Sequence, residues 1–249
     1  MKIQSIEKTI RIIELLGNSP SGLGLTQMSN ALKYPPSTVH HIISTLMFHG
    51  YVNQASDTKR YSLGYAFLHI SHRILENMDL RKVARKYLQE LHQKSNETVH
   101  LAILREGRVI YIDKIQRPGS LSLATYVGFS THPHAAAGGK VLLSQLSRDE
   151  VYKIYGSCHL PAYTKKTITD LNRLMEELNQ IRESGYAVDD EGYYEGIRCV
   201  AVPVKNGRGR IVAALSITGS IFTMTKEKIE KELIDLVVKT GERISSELR

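Results

Sequence analysis

The chain has 249 residues, of which 42% are hydrophobic and 23% charged, enough to bury one large core or two modest ones. No uninterrupted apolar run approaches the roughly 18 residues of a membrane span, and the start MKIQSIEKTIRIIELLG, acidic as well as basic, does not read as a signal peptide. The two distant cysteines, Cys158 and Cys199, argue against a disulfide scaffold and for a reducing cytoplasm. A net charge of +8 suits a polyanionic partner, but it is spread along the chain and locates no site.

Three short helices come first. Ser5 can cap one with apolar positions Ile6, Ile10, Ile13 and Leu16, ended by Gly17-Asn18 and Pro20. Thr26 can cap a second carrying Met28, Ala31 and Leu32. Pro35-Pro36 opens a third, where proline's missing N–H costs nothing. Gly50 stops it, and YVNQ, the turn ASDTK and RYSLG make a hairpin. Residues 64–78 look helical and lead into a helix capped by Asp79, with Leu80, Val83, Tyr87, Leu88 and Leu91 on one side. From Thr98 the pattern changes. VHLAIL and VIYIDKI form a hairpin across REGR, and LSLATYV reads as a further strand. HAAAGGKVLLSQL starts a helix, Asp170 caps another with Leu171, Leu174, Leu178 and Ile181, and CVAVPV meets IVAALSIT across KNGRG. A last helix runs from Thr225, with Ile229, Leu233, Leu236 and Ile244 inward. This order predicts an α+β chain whose second part is built on an antiparallel sheet. The expected domains are 1–64, a helical linker 65–78, and 79–249.

The third helix has a sound core stripe in Val39, Ile42, Ile43 and Leu46. Its other face holds Ser37, Thr38, His40, His41, Ser44 and Thr45 without one acid. A helix that enters a DNA major groove needs short donors and acceptors near its first turns and no carboxylate facing phosphate. Ser37, Thr38, His40, His41 and Ser44 meet that demand, and Lys59 and Arg60 in the hairpin would meet the adjacent backbone. The alternative is an ordinary surface helix rich in Ser, Thr and His.

Those stretches carry a family resemblance. SIEKTIRIIELL, LTQMSNALKYPPSTVHHIISTLMFHGYV and RYSLG resemble the N-terminal half of IclR-type bacterial transcription regulators. The likeness continues through DLRKVARKYLQEL, ETVHLAIL, HPHAAAGGKVLL, TKKTITD, RESGYAVDDEGYYEGIRCVAVPV and AALSITG, over roughly residues 4–248. It implies an N-terminal winged helix-turn-helix domain, a linker helix and a C-terminal GAF/PAS-like α/β effector domain with an antiparallel sheet. It also implies a homodimer or homotetramer that binds a double-stranded DNA operator and a small organic acid or aromatic metabolite, and represses or activates nearby genes. Pro36 and His41 stand where the family often has Lys and Arg, which leaves the operator sequence open.

HAAAGGK, residues 134–140, places small residues and bare N–H groups at a helix start, suited to an anion or to close packing on the sheet. It is no nucleotide-phosphate loop, because Val141 stands where Ser or Thr is required. On IVAALSIT, period-two alternation puts Ile211, Ala213, Leu215 and Ile217 on one side and Ser216 and Thr218 on the other, either gripping a ligand or solvated. The resemblance carries effector contacts onto Ala137, Gly138, Asp189, Cys199, Ser216 and Thr218, with Thr218 where the family often has Ser. Asp189-Asp190 equally fits a turn, and Cys199 a small buried residue.

The expected effector is a small carboxylate, with no cofactor, no metal, no membrane and no catalysis. Two alternatives compete. In one the C-terminal domain only oligomerises. In the other His132, His134, Cys158, His159, Asp189 and Cys199 build a thiol hydrolase or a metal site, although no spacing specifies a Cys–His pair or a full ligand set.

Overall fold

The computed structural model describes residues 2–116, 125–156 and 160–248, and it divides into two compact units, Met1–Asn77 and Met78–Arg249. The strand expected at LSLATYV falls mostly outside the described residues, as do Cys158 and His159.

In the first unit, α1 (Gln4–Gly17), α2 (Leu25–Leu32) and α3 (Pro36–Phe48) precede a small hairpin, β1 (Val52–Gln54) and β2 (Tyr61–Leu63), and then α4 (Ala66–Glu76). Pro36 is the first residue of α3, where its fixed φ suits the helix and no N–H is missed. Lys33, in the left-handed region with φ 55°, turns the chain between α2 and α3. The caps differ from expectation. Ile3 stands at the start of α1 and Gly24 at the start of α2, where the Gly24 N–H donates to Gln27 Oε1 at 2.9 Å. Thr26 lies inside the helix, and the Gln27 side chain reaches back to the capping residue's own N–H.

Ile12, Leu16, Met28, Val39, Ile43, Leu46, Val52 and Tyr61 form the core of this unit. The core stripe of α3 is as expected, with Ile42 half-buried. That of α1 is not: Ile12 and Leu16 are buried, while Ile6 and Ile10 are 52% and 48% exposed. The helix turns its Ile12 face to α2 and the hairpin, which leaves Ile3, Ile6 and Ile10 outward. Leu23 adds a one-residue bridge to Tyr61, exchanging backbone hydrogen bonds of 3.0 and 2.8 Å. Helix α4 buries no residue.

The second unit is a six-stranded sheet clad on both faces. After α5 (Asp79–Ser95) come β3 (Thr98–Arg105), β4 (Arg108–Ile115) and the short β5 (Ser130–Thr131). Then follow α6 (Ala137–Ser144), α7 (Arg148–Tyr155), α8 (Leu171–Ser184), β6 (Ala187–Asp190), β7 (Ile197–Lys205), β8 (Ile211–Ser220) and α9 (residues 226–247). The strand order is β5-β4-β3-β8-β7-β6, and every pairing is antiparallel. Glu106 and Gly107, both at positive φ, make the tight β3–β4 turn that the right-handed twist of the strands favours.

On one face α5 and α9 pack on Val99, Leu101, Val200, Val202, Leu215 and Ile217. On the other, α6, α7 and α8 pack on Ala102, Ala187, Cys199, Ala201 and Ala214. The small side chains on that second face let α6 come close. Ser216 and Thr218 point to it and are only 5% and 9% exposed, so the solvated alternative for this face does not hold.

Two shifts escaped periodicity. A bulge at the β7–β8 turn pairs Val204 with Ala213 and Lys205 with Ile211. Val212 is the extra residue, and Ile211 crosses to the α6 face instead of joining Ala213. In α9 a π-helical stretch at Ile229–Leu233 adds a residue to one turn, so Val237 is buried in place of the half-buried Leu236. Asp170 and Thr225 cap α8 and α9 as expected, accepting from the Arg173 and Lys228 N–H groups. Asp79 is the first residue of α5, with Met78 at its cap. Asp189 and Asp190 belong to strand β6, not to a turn.

Candidate functional site

On the first unit, α3 presents Ser37, His40, His41 and Ser44 exposed and Thr38 half-buried, all from the first three turns. No acidic side chain lies on this helix, and neutral donors and acceptors are what a groove-reading surface requires. In the hairpin Lys59 is exposed, at φ 55°, with its carbonyl accepting from Gln54 Nε2 at 3.0 Å. Arg60 is differently placed. Its Nη1 donates to the carbonyls of Gly22 at 3.1 Å and Ser21 at 3.4 Å, which ties the wing to the α1–α2 loop.

On the second unit the α6 face of the sheet holds a small cup. Its wall runs through His100, Tyr111, Asp189, Cys199 and Thr218 on five neighbouring strands. Asp189, Cys199 and Thr218 lie side by side, because Cys199 pairs with Asp189 on one flank and Thr218 on the other. Ser216 pairs with Ala201 and His100 in the next row. Thr125, Ala136, Tyr193, Tyr194 and Ile197 complete the cup, a partly open hollow with a cavity volume of about 30 Å³.

The polar groups are linked. The Thr218 hydroxyl donates to Cys199 Sγ at 3.3 Å and lies 3.5 Å from His100 Nδ1, while His100 Nε2 is 3.0 Å from the Thr125 hydroxyl. Burial pushes the Cys199 thiol up to about 12, against the pull of the Thr218 and Ser216 hydroxyls and the Gly138 N–H. It is therefore a thiol at neutral pH and not an activated nucleophile. Burial drives His100 down to about 3, with Lys114 adding to the effect, so its ring is neutral. Asp189 is pushed up to about 6 by burial, against the Lys140 charge and the backbone N–H groups of Gly192 and Tyr193. The Gly192 N–H donates to Asp189 Oδ1 at 2.8 Å.

The structure sorts the small residues at the start of α6. A Cβ on Gly139 would lie 2.2 Å from the Pro133 carbonyl oxygen, so that glycine serves close packing. Ala137 is wholly buried in the helix–sheet core, and Ala136, one residue earlier, lines the cup in its place. Gly138 faces Ala214 of β8 and sends its N–H toward the Cys199 sulfur. The sequence reading missed His100, Tyr111, Thr125 and the two tyrosines of EGYYEG. Only the last carries a local signal, adjacent aromatics between Gly192 and Gly196. His132 and His134 meet neither Asp189 nor Cys199: His132 Nδ1 is 2.6 Å from the Tyr163 hydroxyl, and His134 Nε2 donates to the Pro161 carbonyl at 2.9 Å. Among the described residues no group of three His, Cys, Asp or Glu side chains is placed to hold a metal ion.

Comparison with known proteins joins the two halves. The family model "IclR helix-turn-helix domain" matches residues 5–56, and "Bacterial transcriptional regulator IclR C-terminal" matches residues 72–246. The chain belongs to the IclR family. Among IclR-family relatives it is 35% identical to the HTH-type transcriptional regulator XynR of Escherichia coli (strain K12), over 93% of this chain and 90% of that protein. The crystal structure of the Thermotoga maritima IclR superposes with a TM-score of 0.80 at 29% identity, covering 99% of both chains. An IclR homologue of Microbacterium hydrocarbonoxydans, crystallised with 4-hydroxybenzoate, shares the fold at a TM-score of 0.81 and 22% identity, over 98% of this chain and 99% of that one. IclR-family proteins are DNA-binding transcription regulators and not enzymes, in accord with the resting thiol of Cys199. No helix among the described residues is long and apolar enough to cross a membrane.

Proposed function

We propose that this chain is a cytoplasmic, ligand-responsive regulator that binds a palindromic operator beside a catabolic operon and senses a small carboxylate in the cup. In this reading Ser37, Thr38, His40, His41 and Ser44 face the major groove, and Lys59 meets the adjacent phosphates. The wing hydrogen bonds of Arg60 make it a brace for that contact. Ala137, Gly138, Asp189, Cys199, Ser216 and Thr218 form or back the effector site, with Ala136 taking the direct position expected of Ala137. A homodimer or homotetramer presents paired recognition helices to paired half-sites.

The observation that carries the sensor reading is the convergence of Asp189, Cys199 and Thr218, from three strands, on one cup. The test is fluorescence anisotropy of the full chain on duplexes from the intergenic DNA flanking its gene, with and without a panel of small acids. Specific binding whose midpoint an acid moves severalfold supports the reading. Specific binding that no acid in the panel alters overturns its sensor half.

A further inference from the structure

Among the described residues that line the cup there is one formal charge, and it is negative. Asp189 is 4% exposed, and the remaining described lining is hydroxyls, a thiol, apolar groups and an imidazole. The described cations around it have other partners. On α6, Lys140 Nζ donates to Glu177 Oε1 at 2.8 Å, and on β4, Lys114 Nζ donates to the Thr125 carbonyl at 2.6 Å. On β7, Arg198 donates to Asp190 Oδ1 at 2.6 Å and to the Met224 carbonyl at 3.0 Å. Lys166 lies 2.5 Å from Glu191 and 3.6 Å from Asp190, and Lys226 lies 3.6 Å from Asp190.

A carboxylate entering this cup sets a second negative charge against Asp189 with no guanidinium or ammonium among the described lining residues. Two carboxylates that close, away from water, do not both stay ionised. We propose that binding of the effector carboxylate is coupled to uptake of one proton from solvent, held between Asp189 and the ligand. No other bond is made or broken. The cup therefore reports acid concentration and pH jointly, binding best when the metabolite accumulates in an acidified cell. The inference rests on the reading that the cup takes a carboxylate.

The described lining supports one titrating group in the working range. Asp189, at about 6, is largely ionised in the free protein at pH 8 and has a proton to gain. His100, near 3, and Cys199 and Tyr193, both near 12, hold their states across neutral pH. Tyr111 is raised further still by burial.

Isothermal titration calorimetry of the full chain with pyruvate, gluconate and benzoate, at pH 8 in HEPES and in Tris, tests this. For any acid that binds, the enthalpies in the two buffers should differ by the full difference between the ionisation enthalpies of Tris and HEPES, the mark of one proton per site. The Kd should weaken about tenfold per pH unit between pH 7 and 8.5, where these carboxyls stay ionised. Asp189→Asn, which keeps an oxygen for the Gly192 N–H, should bind with buffer-independent enthalpy and a flat pH profile. Equal enthalpies in both buffers with a pH-independent wild-type Kd would overturn proton coupling while leaving the carboxylate reading intact. If none of the three acids binds, while their alcohol or amide counterparts do or nothing does, the carboxylate reading fails and this inference with it.

Discussion

The Gly192 N–H donates to Asp189 Oδ1 at 2.8 Å, and a Cβ on residue 192 would stand 2.5 Å from that same oxygen. The backbone that fixes the buried carboxylate thus leaves no room for any side chain but hydrogen. Gly192→Ala must displace either the carboxylate or the loop that carries Tyr193 and Tyr194. It should weaken effector binding at least about tenfold, or about 1.4 kcal/mol, with operator affinity in the absence of effector unchanged. Calorimetry and anisotropy on the same preparation read both.

Asp189 also makes stability depend on pH. Its folded pKa, about 6, lies above the ordinary 3.8, so the native state holds this proton more tightly than the unfolded chain. The resulting stability is fully present below about pH 4 and is lost as pH rises through 6. Asp189→Asn removes the buried charge. At pH 8 the variant should be more stable than the parent by up to about 3 kcal/mol, and the gain should vanish near pH 4. Urea melts at the two pH values give the difference, and a gain that persists in acid would refute its electrostatic origin.

Adjacent glycines of α6 should respond with opposite signs. Gly139→Ala drives a methyl into the Pro133 carbonyl and should destabilise the second unit by about 1–3 kcal/mol or more. A methyl at Gly138 meets only Ala214 Cβ, at an ordinary 3.7 Å. Gly138→Ala should leave stability unchanged or raise it by up to about 1 kcal/mol, from helix propensity. Thermal melts of the two variants decide this.

In the wing, Lys59→Ala should leave the melting temperature unchanged and lower the salt slope of operator binding by about one. Arg60→Ala should cost about 1 kcal/mol of stability instead, because it removes the Gly22 and Ser21 hydrogen bonds. Equal behaviour of the two variants in both measurements would mean that Arg60 is no brace.

Ser37→Asp separates folding from recognition. Ser37 is exposed in the first turn of α3, where a carboxylate favours the helix dipole by about 0.3–1 kcal/mol. The same charge faces phosphate in the proposed complex. The variant should melt no lower than the parent yet lose specific operator binding in a mobility shift. Retained affinity would place the reading surface elsewhere.

Some of this was legible in the chain alone, because its causes are local. Pro36 starting α3, the Asp170 and Thr225 caps and the hairpin strands follow from interactions within a few residues. The acid-free polar face of α3 is likewise a matter of 3.6-residue periodicity. The tertiary structure decided what depends on distant partners. The alternation on β8 could not say whether Ser216 and Thr218 meet water or protein; helices covering both sheet faces buried them. Ile6 and Ile10 satisfied the period of a core face but turned outward, because Ile12 and Leu16 fit the facing elements. The cup joins His100, Tyr111, Asp189, Cys199 and Thr218, which only the strand order β4-β3-β8-β7-β6 brings together. Burial by that packing, a property of no single segment, is also what raises the Asp189 carboxyl to about 6.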